Sequence, residues 1–343
     1  MENHRIIDFE ELENKIQLNI DSFKLYLNSV GGHSLFIEIS RKYLIKSSNE
    51  SEINFYCFIN QNKKTFHANT IPNFKGVIRQ KTKYFKLIEN YVNQCKTFFR
   101  NYLNENNIKS NDIELEKDSK FKEIFKSFLN EKDIFLLKDL NPSFIKLKEK
   151  LKTFSKDKLN WILFSFIKWR ENFLKNEFII LENLTYDMED PAILDIKLGS
   201  AKKISKENHK VKIYKGACNE IGCRIMGIQK GEIFKNRYFT RNFTVEEFKN
   251  SIFEFFINRK EFVEKTFNEI QFLIKEVENF EMEFKYSSLL IAYDDKNLKN
   301  VNNYEIHLID FSFYEKGSEI DNTSINLITS IKHFLEILDE MRK

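Results

Sequence analysis

Glycine constrains this chain more than any other residue type. Only nine occur in 343 residues, against a usual share of about 7%. Backbone that must turn left-handed, or come close to a ligand, is cheapest at glycine. The special points of the fold therefore gather where glycines stand. Gly31 and Gly32 come early, Gly76 follows, and none occurs again until Gly199. Within that gap, from about Lys86 to Lys175, Phe, Leu and Ile recur at helical spacing, as in "FKEIFKSFL" and "FIKLKEKLKTF". This spacing predicts a mostly helical insertion, with residues 104–120 as a flexible stretch and the many lysines on a solvated helix face.

Charge narrows the partners. Lys and Arg total 55 and Asp and Glu 51, a net charge of +4. A polyanion would have to be met by a local cluster, not by a global field, and no nucleic-acid partner is expected. Charges interrupt every long apolar run, so no membrane span is expected. The opening "MENHRIIDFEELENK" carries acids and no hydrophobic signal core, which predicts a cytoplasmic or nuclear protein. Cys57, Cys95, Cys218 and Cys223 suit reduced thiols better than a disulfide framework.

Before the gap, "SVGGHSLFIEISRKYLIKSS" reads as two strands joined by a turn, ending near Lys46, and "SEINFYCFIN" as a helix carrying Glu52. A glycine turn, a lysine on the second strand and a glutamate on the next helix can form a nucleotide-phosphate clamp. Glycine lets backbone approach phosphate, lysine neutralises it, and glutamate steadies the lysine. An ordinary hairpin has the same appearance. After the gap, "FIILENLT" is an apolar strand running into Glu182, Asn183 and Leu184. "PAILDIKLGS" (191–200) alternates apolar residues with Asp195, Lys197 and Gly199, which therefore share one face of a strand. That face meets either water or a cleft. "YSSLLIAYDD" follows downstream, and then "EIHLIDFSFY", where Asp310 emerges from an apolar strand as a carboxylate able to hold a hard cation.

These motifs, in this order, resemble the inositol polyphosphate kinase family. Pro191, Asp195, Lys197 and Gly199 match its Pro-x-x-x-Asp-x-Lys-x-Gly signature. Ser288, Leu289 and Leu290 match Ser-Leu-Leu, and Ile309, Asp310 and Phe311 match Ile-Asp-Phe. The likeness runs from about Val30 to Phe85 and from about Leu159 to the C-terminus. "VGGH", "NFKGVI", "LNWIL", "GCRIMGIQ" and "KYSSLLIAYDD" are similar to the inositol hexakisphosphate kinase branch, with the multikinase branch close behind.

The resemblance implies an α+β, protein-kinase-like two-lobed fold with ATP between the lobes. The upper lobe would span residues 1–183, with the helical insertion at about 86–175. The lower lobe would span residues 184–343, with an inositide-binding segment at about 200–231. Lys46 would hold ATP phosphates and pair with Glu52. Glu182 and Leu184 would offer backbone groups to adenine, Asp195 would bind the ribose hydroxyls, and Asp310 would ligate Mg²⁺. Lys197 would act catalytically at the transferring phosphate and reach the acceptor. Asp195 would serve as base if the acceptor is a hydroxyl.

A substrate rich in phosphate needs lysines, and "KKISKENHKVKIYK" (202–215) supplies them. Lys203, Lys206, Lys210 and Lys212 are the candidates, with residues 206–215 expected as a short helix, and Lys230 is a further candidate by its place in the resemblance. The implied activity is ATP-dependent phosphorylation of a soluble inositol phosphate, inositol hexakisphosphate first. The alternatives are a multikinase or trisphosphate kinase acting on lower inositol phosphates, and a weakly catalytic inositol phosphate sensor. The insertion is expected to be dispensable for chemistry and free to meet protein partners. Ser312 and Phe313 depart from the family, which places a small residue and then His or Lys there; "GACNEIG" (216–222) replaces a Thr/Ser-rich segment. Both departures bear on which acceptor and position are used.

Overall fold

Two antiparallel sheets organise the chain, and each gathers its own helices. The computed structural model describes residues 20–30, 35–61, 70–113, 119–131, 140–199, 203–204, 211–212, 216–278, 282–284, 287–297, 303–311, 314–316 and 326–343. The chain divides into two compact units, one of Met1–Ile53 with Phe74–Asn183, the other of Asn54–Asn73 with Leu184–Lys343. The expected α+β class is what the two sheets and their helices display.

In the first unit β1 (Phe23–Leu25), β2 (Phe36–Ile39), β3 (Tyr43–Ser48), β4 (Phe74–Ile78) and β5 (Glu177–Glu182) form a sheet in the order β1-β2-β3-β5-β4. The helix α1 (Glu50–Gln61) follows β3 and is divided between the units at Ile53. The glycine-free stretch forms α2 (Lys83–Glu105), α3 (Ser110–Ile113), α4 (Ser119–Asn130), α5 (Ser143–Lys152) and α6 (Lys156–Phe173). Thr82 caps α2 by accepting from the Phe85 amide at 3.2 Å, and Ser155 caps α6, each satisfying an otherwise orphaned donor. Residues 104–120, expected to be flexible, are thus partly helical.

These helices are the sheet's covering layer. Phe85 on α2 and Phe173 on α6 meet Phe178 of β5 at centroid distances of 5.2 and 4.9 Å. Tyr91 of α2 stands edge-on to Phe23 of β1 at 5.6 Å, and the Trp161 indole donates to the Ser29 carbonyl. Beyond the sheet the layer closes on itself. Phe99 packs on Phe166 at 4.6 Å, and Phe121 on Phe164 at 4.6 Å. Buried Arg170 pairs with Glu131 and lies over the Phe128 ring. An apolar sheet face has to be buried against something; here the insertion does it.

The second unit carries β6 (Pro191–Leu198), the short ribbon of β7 (Lys203–Ile204) and β8 (Val211–Lys212), α7 (Ala217–Glu220), β9 (Cys223–Lys230), β10 (Ile233–Asn236), α8 (Arg237–Thr240), α9 (Val245–Phe255), α10 (Lys260–Glu278), β11 (Met282–Phe284), β12 (Ser288–Asp294), β13 (Tyr304–Ile309), β14 (Tyr314–Lys316) and α11 (Leu327–Arg342). Its main sheet runs β10-β9-β6-β12-β13, all antiparallel. One face packs on helices. Tyr293 stacks on Phe262 of α10 at 4.7 Å, its hydroxyl donates to the Phe255 carbonyl ending α9, and the Cys223 thiol reaches the Ser330 carbonyl in α11. All four cysteines are buried free thiols. Among the described residues no helix is long and apolar enough to cross a membrane.

Candidate functional site

In the first unit the lysine and glutamate singled out from sequence are in contact. Lys46, six residues from Glu52, points from β3 so that its Nζ lies 2.7 Å from Glu52 Oε1. Both side chains are almost wholly buried. The Ser48 hydroxyl donates to Glu52 Oε2 at 2.5 Å, and Asn49 starts α1 by accepting from the Glu52 amide at 2.9 Å. A buried ion pair is costly unless its remaining lone pairs are met, and Ser48 meets one. The arrangement holds an ammonium in fixed position on β3. Glu182 closes β5 in register with Tyr43, and Leu184 opens the second unit.

In the second unit, strand parity assembles the rest. Residues directly opposite one another in an antiparallel pair project to the same face. Asp195 lies opposite Gly227 on β9 and Leu290 on β12, and Leu290 lies opposite His307 on β13. Lys197 lies opposite Arg224 and Ser288, and Ser288 opposite Ile309. These residues therefore occupy the face turned away from the helices. Asp310 follows directly, in left-handed backbone with φ 65°, a conformation that aspartate tolerates better than most residues. Phe311 anchors that turn. It is fully buried and stacks on Phe55 at 4.1 Å, with Tyr56 edge-on at 5.8 Å.

The turn brings Asp310 Oδ2 to 3.6 Å from Lys197 Nζ. Burial first, and then the Asp310 charge, push the Asp195 carboxyl up to about 7, while Lys197, Ser288 and Arg224 pull the other way. Asp195 Oδ1 is buried and has no hydrogen-bond partner among the described residues; neither has the Ser288 hydroxyl. Ser288 lies near enough to favour the charged carboxylate without meeting hydrogen-bond geometry. Two neighbouring carboxylates, one with a buried unsatisfied oxygen, are the hard donors that a divalent cation takes up. The donor set fits such an ion.

The lysine candidates divide. Lys203 and Lys212 face each other in register in the β7–β8 ribbon. The short helix expected over 206–215 is therefore corrected at Val211–Lys212, which is strand. Lys206 and Lys210 lie outside the described residues, as do Gly31, Gly32, Ser312 and Phe313. Lys230 does not join the group. Parity turns it toward the helices, where its Nζ donates to the Phe255 carbonyl at 2.9 Å and ties off the end of α9.

Arg224 escaped the sequence reading. Simple alternation along β9 sets it with the helix-facing residues, but a bulge opposite Asp195 and Ile196 shifts the register and brings it round beside Lys197. His307, whose Nε2 is 2.6 Å from Glu305 Oε2, was missed for a different reason: nothing distinguishes it from a core histidine. Its parity with Asp195 was the available signal.

Comparison with known proteins finds a family match in the second half of the chain. Residues 178–339 match the family described as inositol polyphosphate kinase. The chain is 33% identical over 144 residues to human inositol hexakisphosphate kinase 2, covering 36% of this chain and 33% of that protein. It is 28% identical over 137 residues to human inositol hexakisphosphate kinase 3, covering 35% and 33%. The chain thus spans about a third of the length of the curated relatives it matches. Among solved structures, the inositol phosphate multikinase Ipk2 of S. cerevisiae, in complex with ADP and Mn²⁺, aligns with a TM-score of 0.42 and 20% identity, covering 49% of this chain and 85% of that one. The match to the inositol polyphosphate kinase family therefore takes in residues 178–339, a little under half of the chain.

Proposed function

We propose that the chain is an ATP-dependent inositol phosphate kinase whose favoured acceptor is inositol hexakisphosphate, converted to a diphosphoinositol phosphate. One observation carries this reading: Lys197 stands 3.6 Å from Asp310 on the sheet end that also holds buried Asp195. A cation and two carboxylates so arranged suit transfer of a phosphoryl group, which asks a protein chiefly for positioning and charge neutralisation. The likeness to inositol hexakisphosphate kinases over 144 residues supports the choice of acceptor.

In the transfer, an acceptor oxygen bonds to the γ-phosphorus, the bond from that phosphorus to the bridging oxygen breaks, and ADP leaves. Lys46, steadied by Glu52, neutralises nucleotide phosphate, and the backbone at Glu182 and Leu184 meets the adenine. Asp195 takes the ribose hydroxyls. Lys197 follows the charge that moves onto the reacting phosphate, and Lys203, Lys206, Lys210 and Lys212 hold phosphates that do not react. Asp310, with Asp195 beside it, would hold Mg²⁺, which when bound offsets charge on the triphosphate. An acceptor phosphate is already ionised and needs no base.

A second reading, phosphorylation of a hydroxyl on a lower inositol phosphate, is favoured by the Asp195 carboxyl pushed up to about 7, a range suited to a general base. A panel of inositol phosphates incubated with Mg-ATP, with products resolved by charge, tests both. Gain of phosphate by inositol hexakisphosphate supports the first reading, and gain only by lower members supports the second. ATP binding with no product from any member would leave a sensor.

A further inference from the structure

Between β2 and β3 the chain turns through Ser40 and Arg41, with φ of 50° and 63°. Ile39 pairs with Tyr43, so Ser40–Lys42 is a three-residue loop; such loops usually give their left-handed position to glycine, and each L-residue held there costs roughly 1–2 kcal/mol. Neither left-handed residue is a glycine, so something else must define the turn. Asn183 does so from the end of β5. It is 2% exposed, its side-chain Nδ2 donates to the Arg41 carbonyl at 2.7 Å, and its backbone amide donates to the Lys42 carbonyl at 2.8 Å. One residue thus clasps two consecutive carbonyls at the start of β3.

The clasp has a directional consequence. Peptide groups of successive strand residues point to opposite sides. With the Asn183 amide committed to β3, the carbonyl of Glu182 and the amide of Leu184 turn to the other side, where β4 has made its last pairing at Phe74 with Leu181. We infer that Asn183 is a positioning residue for nucleotide binding: its clasp on the strained Ser40–Arg41 turn sets the orientation in which the Glu182–Leu184 backbone meets the purine. The inference rests on the proposed role of Glu182 and Leu184 and adds the residue that fixes them.

The test compares wild type with Asn183→Asp, which keeps the shape but loses the donor, and with Asn183→Ala. A fluorescent ATP analogue gives nucleotide affinity, steady-state kinetics give KM for ATP and for inositol hexakisphosphate, and a thermal melt reports folding. Loss of one buried hydrogen bond should weaken the nucleotide roughly tenfold in both variants, leaving the inositide KM within about twofold. If Asn183→Ala does not fold, Asn183→Asp decides. Unchanged nucleotide affinity in a folded variant overturns the inference, and so does an equal rise of both KM values with a lowered melt, the mark of a purely structural role. Wild type that binds no nucleotide overturns both the inference and the kinase reading. Wild type that binds nucleotide without turnover overturns only the kinase reading, and the affinity comparison still judges Asn183.

Discussion

Asp195 and Lys197 stand two residues apart on one strand and share a sheet face, yet their surroundings set them to different tasks. Asp195 is 5% exposed, and its buried Oδ1 has no hydrogen-bond partner among the described residues. Lys197 reaches instead toward Asp310 Oδ2. The pair are neighbours in sequence and not partners in a salt bridge. Lys197 is aimed at the carboxylate that the left-handed turn after β13 presents.

The first prediction concerns that turn. Asp310→Asn preserves size and tolerance of left-handed backbone, and the buried Phe311 still anchors the turn. The charge is lost, and with it the hold on a divalent cation. Turnover should fall at least a hundredfold while the thermal midpoint stays within a few degrees. Near-normal turnover in the folded variant would remove Asp310 from the metal site.

A second prediction separates charge from stability in the first unit. Glu52→Ala leaves Lys46 buried without its carboxylate, which typically costs about 3–5 kcal/mol. Replacing both, as Lys46→Met with Glu52→Leu, removes the uncompensated charge and should recover most of that loss. The double variant should nevertheless bind ATP poorly, because no ammonium remains. Urea unfolding and equilibrium nucleotide binding measure the two quantities. A stable double variant with wild-type ATP affinity would make the pair structural only.

Asp195 sets the pH response. Its folded carboxyl titrates at about 7, above the ordinary value near 3.9. Below about pH 4 the proton is bound in folded and unfolded chains alike, and this group's contribution is fully present. As pH rises toward 7, the unfolded chain releases the proton while the folded one keeps it, so stability declines by at most about 1.4 kcal/mol per pH unit. Above 7 the decline stops. Without nucleotide or divalent cation, Asp195→Asn should therefore gain on wild type between pH 5 and 7. Parallel stability curves for the two proteins across that window would contradict the burial argument.

How much of this was legible beforehand follows from what each feature depends on. The Lys46–Glu52 contact needs only a strand, a short turn and a helix, all local, and the motif order made it visible. The shared face of Asp195 and Lys197 needs only alternation. Arg224 was hidden because one extra residue in β9 reverses its side, and bulges leave no clear mark in a single sequence. Lys230 was misread because the carbonyl it meets, Phe255, lies 25 residues on. The packing of the insertion on β1 and β5 was not legible because periodicity shows that a helix has an apolar face, not what that face covers.

The last prediction addresses that covering role. Phe85, Phe173 and Phe178 form a ring cluster joining α2 and α6 to β5, and Phe178 is fully buried. Removing residues 86–158 strips α2 from Lys86 onward and leaves Phe23 and its strand without Tyr91, their aromatic partner, so the shortened chain should be insoluble. A gentler test avoids that outcome. Phe178→Ala should cost about 3–5 kcal/mol by emptying the cluster. Phe85→Ala should cost less, since only one ring contact with β5 is lost. Because the two rings touch, the double variant should be less destabilised than the sum of the singles, with a coupling of about 0.5–1.5 kcal/mol. Urea unfolding of the four proteins completes the cycle. Strict additivity would mean that α2 merely lies near the sheet, and a soluble deletion with intact ATP binding would return the insertion to the status of an appendage.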